Sequence, residues 1–318
     1  MERTQLLEET RDILSRAGFY VSEIYSRRLS GFDFVARRDD TLVIIKILNN
    51  VDALTEKYAA ELKTLSSVLK ASVILIGARD SDGALENDVI YYRFSIPTLT
   101  IKTLHDHLLE GIPLTAYAGP GGLYINIDEN KLRHLRKEKN ISLGSFARHV
   151  KVSRRSVQMY EEGMNTRIDV AYRIEEFLQT SITQPFDILR RYYTRKHEPS
   201  QQPKLDPEKF KDFELEILRL LQNVGYKIIP VGKCPFEAFS KDRENILLTS
   251  IQQNNEILLD RARVLSSLAK IIERNAVLIT DKETSKHNLK GTPIILRREL
   301  KKIHDPEDVI DLVLERQR

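Results

Sequence analysis

Residues 132–163 read LRHLRKEKNISLGSFARHVKVSRRSVQMYEEG, and three short apolar stripes at helical spacing run through them. Leu132 and Leu135 share the inner face of the first stripe. Phe146, Ala147 and Val150 share that of the second, and Val157 and Tyr160 that of the third. Ser142 and Ser153 each stand where a hydroxyl can accept a bond from an unpaired backbone N–H and start a helix. Ala147 is small where two crossing helices need close approach, and Lys151-Val152 is left as the turn between them. The spacing predicts three helices, the last two forming a helix-turn-helix, a unit whose second helix enters the major groove of DNA.

The residues Leu132-Arg133, Arg136, Ser142, Phe146-Ala147, Val152-Ser153, Val157 and Tyr160-Glu161 with Gly163 resemble the DNA-binding domain of the Cro and phage-repressor family. The resemblance implies that residues opening the second helix of the motif read base edges. Here these are Arg154 and Arg155, with Ser156 alongside and Gln158 one turn on. Arginine can offer two parallel donors to guanine O6 and N7, and glutamine pairs likewise with adenine. Arg136, Ser142, Arg148, Lys151 and Ser153 are the candidate phosphate contacts. The competing reading is an ordinary three-helix bundle whose arginines are merely solvated.

Length and composition bound the remainder. The chain has 318 residues, enough for two or three domains that each bury a core. It is 41% hydrophobic and 30% charged, which places it among globular rather than disordered chains. No apolar run is long enough to cross a bilayer, and the opening MERTQLLEETRD is charged rather than signal-like. The one cysteine, Cys234, leaves no intrachain disulfide and no cysteine-based zinc site, as expected of a reducing cytoplasm. The seven histidines are scattered outside zinc spacing. There is no Walker loop, no GxSxG elbow and no GxGxxG turn, so no cofactor is expected. The net charge of +4 is unevenly placed. Lys and Arg outnumber Asp and Glu between 128 and 197, and the rest of the chain is slightly acidic, a distribution suited to docking on phosphate.

The two ends of the chain echo each other. FDFVARRDDTLVIIKIL (32–48) lies over FEAFSKDRENILLTSIQ (236–252), so that Asp33 falls on Glu237, Lys46 on Ser250 and, further on, Val73 on Val277 at one constant offset. Each copy reads as helix, two short strands, helix, strand, strand, helix, which points to a diverged duplication. In the first copy an opening helix near 4–17 stops at Gly18, strands follow at 32–35 and 42–48, and a helix covers 54–70. Residues 73–76 form an apolar strand, DSDG (80–83) is a turn, and 89–94 is a further strand. Ala118-Gly119-Pro120-Gly121-Gly122 and KHEPSQQPKLDP (196–207) read as linkers. Between them two more helices are expected, at 169–179 and at 185–193, the latter opened by Pro185.

That order of elements resembles the restriction-endonuclease-like fold, in particular archaeal Holliday-junction resolvases. In active members, the resemblance implies, a strand-borne Asp and a Glu-x-Lys on the next strand hold Mg²⁺ beside the scissile phosphate. Asp33 matches the Asp and Lys46 the Lys, but the position two before the lysine is Ile44. Glu8 or Glu9 could supply a helix acid. In the second copy Glu237 remains, with Leu248 and Ser250 in place of Glu and Lys. A hard dication needs at least two carboxylates, so neither copy keeps a metal site and no catalytic residue is assigned. For Lys46 the favoured reading is a strand-end lysine that snorkels to solvent, and for Asp33 a turn carboxylate capping backbone N–H groups.

The expected architecture is two α/β restriction-endonuclease-like domains, 1–117 and 208–318, flanking an all-α lambda-repressor-like domain at 123–195. The whole arrangement is similar to an archaeal family of helix-turn-helix transcriptional regulators. It implies a regulator of transcription that binds double-stranded DNA as a homodimer, with flanking domains that supply the dimer surface or take an unknown protein or small-molecule effector. Two rivals are a Mg-dependent, structure-specific nuclease built on Asp33 and Lys46, and an adaptor whose helical domain binds protein.

Overall fold

The computed structural model describes residues 2–25, 31–190, 205–243, 245–253, 258–282, 284 and 286–317. The chain opens with α1 (Arg3–Arg16), β1 (Tyr20–Val21), β2 (Phe34–Arg38), β3 (Thr41–Asn50), α2 (Glu56–Leu69), β4 (Ser72–Arg79), β5 (Val89–Arg93), β6 (Ile96–Leu99) and α3 (Ile101–Leu109). A hairpin of β7 (Ala116–Gly119) and β8 (Gly122–Ile125) leads to α4 (Glu129–Glu138), α5 (Leu143–His149), α6 (Arg154–Tyr160), β9 (Thr166–Arg167) and α7 (Ile168–Leu178). The last third holds α8 (Asp212–Val224), β10 (Lys227–Pro230), β11 (Ala238–Asp242), β12 (Asn245–Ile251), α9 (Leu258–Ile272) and β13 (Asn275–Thr280). It closes with β14 (Asn288–Leu289), β15 (Thr292–Leu296), α10 (Arg297–Leu300) and α11 (Pro306–Gln317).

The strands form two sheets, ordered β1-β2-β3-β4-β6-β5-β7-β8-β9 and β10-β11-β12-β13-β15-β14. The first six strands of the larger sheet therefore follow the order of the smaller one. The pairs β2–β3 and β11–β12 are both antiparallel, and β4–β6 and β13–β15 both parallel. The chain divides into two compact units, one of Met1–Ile13, Leu48–Ala53 and Ile74–Ile188, the other of Leu14–Ile47, Leu54–Val73 and Leu189–Arg318.

The local chemistry explains the elements. Residues 42–47 of β3 are all buried, as a strand covered on both faces should be. Thr55 caps α2 by accepting from the Tyr58 N–H, and Lys70 ends the helix in the left-handed region at φ +54°. Gly18 takes φ +84° after α1, a conformation that suits a residue without Cβ.

Three expectations are corrected. The stretch 123–195 is not all-α, since most of β8 and all of β9 lie in it and pair with each other because the chain returns beside the β7–β8 hairpin after α6. Residues 118–122 are not a linker: Gly119 and Gly122 are paired across the tight turn that joins β7 to β8. Pro120 presets the first central position of that turn, and Gly121 supplies φ +81° at the second. β7 in turn pairs parallel with β5, and β8 antiparallel with β9. The described part of 185–193 is not helical either. There the chain is irregular and anchored, the Phe186 N–H donating to the Leu114 carbonyl while Phe186 and Ile188 are buried. Residues 191–204, and with them most of the 196–207 spacer, lie outside the described residues.

Candidate nucleic-acid interface

The central helices are held by one core of Leu132, Phe146, Ala147, Val150, Val157, Tyr160, Val170, Ala171, Ile174 and Leu178, joined by Ile125, Ile127 and Ile182. Ser142 Oγ accepts from the Ser145 N–H at 3.1 Å, and Ser153 Oγ from the Ser156 N–H at 2.9 Å, so both hydroxyls cap helices. Between α5 and α6 the backbone reverses at Lys151, which sits at φ +56°, and the Val152 N–H returns to the Ala147 carbonyl at 3.0 Å. After α6, Gly163 takes φ +97° and closes the turn onto the Tyr160 carbonyl.

That packing leaves one face clear. Arg148, Lys151, Ser153, Arg154, Arg155 and Gln158 are exposed, as is Ser142, while Ser156 is half-buried. Arg148, Lys151, Arg154 and Arg155 carry no ion-pair partner among the described residues, and Gln158 reaches only Glu162 of its own helix end at 3.0 Å. Four uncommitted cations around a short exposed helix concentrate positive potential where a polyanion can approach.

Arg136 does not belong to that face. Its guanidinium is turned inward, with Nη2 donating to Glu161 Oε2 at 3.0 Å, Nη1 to the Ile141 carbonyl at 2.8 Å and Nε to the second carboxylate oxygen of Glu161. The bond to Glu161 raises the Arg136 pKa further, and both side chains are about a tenth exposed. Arg133 also donates to the Glu161 carbonyl. Glu161 thus ties α4 to the end of α6, a role the sequence reading missed because one acid at a helix end looks like any other.

The nuclease-like positions lie in the second unit. Asp33 is fully buried, its Oδ2 accepting from the Ile47 N–H at 2.7 Å, with Lys46 Nζ at 3.5 Å. Lys46 is only 8% exposed, so the expected snorkelling lysine is corrected. It sits in the run 42–47, where a charge is tolerated by facing an opposite one. Glu237 repeats the pattern: its Oε2 accepts from the Ile251 N–H at 2.6 Å, and its Oε1 from Arg261 of α9 at 2.7 Å. The cation here comes from a helix, since the strand position is Ser250, whose hydroxyl is spent on the Pro235 carbonyl.

These two sites face each other. Phe32, Val35 and Ile44 line one small apolar void together with Phe236, Leu248, Leu268 and Ile272. The Gly31 N–H donates to the Lys233 carbonyl at 2.8 Å, and Lys233 Nζ lies 4.1 Å from the centre of the Tyr58 ring. Cys234 is buried there, and burial first, then the nearby carboxylates, push its thiol pKa far up, which makes it unreactive. The donor set does not fit Mg²⁺. Ile44 and Leu248 stand where a second carboxylate is needed, and each surviving acid is committed to a backbone N–H and a cation. Among the described residues no three His, Cys, Asp or Glu converge on a point. Glu8 is exposed in the other unit, and Glu9 accepts from Gln5. No helix among the described residues is long and apolar enough to cross a membrane.

Residues 3–114 match the PD-(D/E)XK superfamily domain, and residues 132–184 match a helix-turn-helix domain. Three archaeal relatives align along almost the whole length. They come from Methanosarcina acetivorans at 35% identity, Methanococcoides burtonii at 36% and Haloquadratum walsbyi at 36%, each over 99% of this chain and 98% of its own. All three carry the name "Putative HTH-type transcriptional regulatory protein". No solved structure matches the chain.

Proposed function

Since the chain belongs to the archaeal family of HTH-type transcriptional regulatory proteins, we propose that it is a sequence-specific DNA-binding regulator of transcription whose α6 lies in the major groove. The observation that carries this reading is the exposed rim of Arg148, Lys151, Arg154 and Arg155, which has no partner among the described residues. Arg154, Arg155, Ser156 and Gln158 are the base-reading set. Arg148 and Lys151 hold phosphates, joined by Ser142, whose hydroxyl proton remains to donate, and by Ser153, whose hydroxyl is shared with that of Ser156 at 2.8 Å. Arg136 is withdrawn from the contact set, since three of its five donors go to Glu161 and Ile141 and its side chain is about a tenth exposed. One chain offers one recognition helix, so the regulator works as a homodimer on two half-sites about one helical turn apart.

The α/β parts at 1–117 and 208–318 are diverged copies that flank the reading domain at 123–195, and both are catalytically silent. The shared strand order and the matching bonds of Asp33 and Glu237 support the duplication. Ile44 and Leu248 at the metal position support the silence.

Sequencing genomic fragments recovered with the purified chain tests the reading. An enriched inverted repeat, bound with a steep salt dependence, is expected. Salt-insensitive or sequence-blind binding would overturn it and favour the protein-binding adaptor. Incubation with branched and linear DNA in Mg²⁺ or Mn²⁺ should leave the DNA intact, and cleavage lost on Asp33→Ala would restore the nuclease.

A further inference from the structure

We propose that the β7–β8 hairpin is a second DNA-contacting element, a wing that brings Arg167 and the glycine tip of its turn against the phosphate backbone flanking the groove occupied by α6. The inference rests on the DNA-binding reading above and extends it to residues outside the helix-turn-helix.

A continuous chain of bonds joins the recognition helix to the hairpin. The Met164 N–H donates to the Met159 carbonyl of α6 at 2.9 Å, and the next residue, Asn165, donates through Nδ2 to the Tyr117 hydroxyl of β7 at 3.1 Å. Thr166 and Arg167 then pair as β9 with Ile125 and Tyr124 of β8. The hairpin is stiff. The Tyr117 and Tyr124 rings stack with centroids 5.7 Å apart, Tyr117 meets Phe186 edge-on at 5.6 Å, and the Tyr124 hydroxyl donates to the Pro120 carbonyl at 2.8 Å. A wing so braced pays little ordering entropy on contact.

The tip has the chemistry a phosphodiester needs. Residues 116–127 contain no acid, and residues 120–122 are exposed. A Cβ built on Gly121 would meet nothing within 4 Å, so the backbone there can come close to another surface. Arg167 reaches over the tip, its Nη1 3.4 Å from the Gly121 carbonyl, with a side chain 58% exposed. Its Nε bonds Asp169 at 3.2 Å, but Asp169 also serves Arg173 at 3.1 Å, so one carboxylate lies between two guanidiniums and the local charge stays positive. A phosphate would complete that arrangement as a charge-assisted, bidentate partner.

Three full-length variants test the wing on a recovered genomic fragment, each checked by thermal melting for an unchanged fold. Arg167→Ala should weaken binding alike for preferred and unrelated sequences and lower the slope of log affinity against log salt by about one. Pro120→Glu at the exposed tip should weaken binding, and Pro120→Lys should strengthen it. Unchanged affinity and salt slope in all three, with sequence preference intact in the parent chain, would overturn the wing and leave the recognition helix standing. A parent chain with no salt-dependent DNA binding would instead sink the DNA reading, and the wing with it.

Discussion

Arg261 of α9 lies 2.7 Å from Glu237 and supplies from a helix the positive charge that Lys46 supplies to Asp33 from a strand. The two halves thus keep a buried acid–base pair at corresponding places although the residue bearing the cation has moved. Burial alone would lower the Arg261 pKa, but the Glu237 carboxylate outweighs it and holds the guanidinium charged.

The pair makes a stability prediction. Arg261→Ala leaves Glu237 buried with only the Ile251 N–H for company, which should cost about 3–5 kcal/mol in urea unfolding. Replacing both residues by leucine should recover much of that loss, because no charge then remains buried. An Arg261→Ala variant as stable as the parent would show that the pair is solvated.

At α6, the proposed base-reading and phosphate-holding roles should separate in binding measurements. Arg155→Ala should cost about 1–3 kcal/mol at one base position and relax the preference there. Lys151→Ala should weaken every sequence alike. Competition against a panel of operator variants distinguishes the two, and uniform loss in both would remove Arg155 from the base-reading set.

Lys151 also carries backbone strain. A residue with Cβ in the left-handed region costs about 1–2 kcal/mol relative to its ordinary conformations, and the helix-turn-helix imposes φ +56° here. Lys151→Gly should therefore raise the melting temperature while lowering DNA affinity, opposite signs that a purely structural lysine would not give.

Acid should loosen the end of α7. Partial burial would raise the Glu175 pKa, yet bonds from the Ser181 hydroxyl, the Ile182 N–H and both the N–H and hydroxyl of Thr183 outweigh it and hold the carboxyl below its ordinary value of 4.5. A lowered pKa means stability fully present above pH 4.5 and lost as pH falls through the lowered value. Glu175→Gln should lower the melting temperature at neutral pH and flatten its decline in acid, measured by circular dichroism across that range.

Much of this was legible in the residues. Ser142, Ser153 and the stripe from Leu132 to Tyr160 placed the three central helices, because caps and helical periodicity act within a few residues of each other. The buried run of β3 and the amphipathic α2 were legible from their periods alone, though not the Thr55 cap. What escaped depends on partners distant in the chain. Arg136 reads as an exposed basic residue until Glu161 is brought to it, and Lys46 reads as a snorkelling lysine until Asp33 faces it. Gly119–Gly122 and Pro185 misled for another reason. Glycine and proline leave several local outcomes open, but the first stretch is the tight turn its flanking strands require, and Pro185 precedes an irregular segment tied to Leu114. Arg261 left no local signal, since a helix position cannot announce a strand acid as its partner.

The ladder from β5 through β7 and β8 to β9 has a mechanical consequence. The reading head is riveted to a sheet by cross-strand bonds on one side of α4 and again on the near side of α7, where a string of glycines would have let it swivel. Within its own unit, the orientation of the head against that sheet is therefore set by the ladder rather than by a tether.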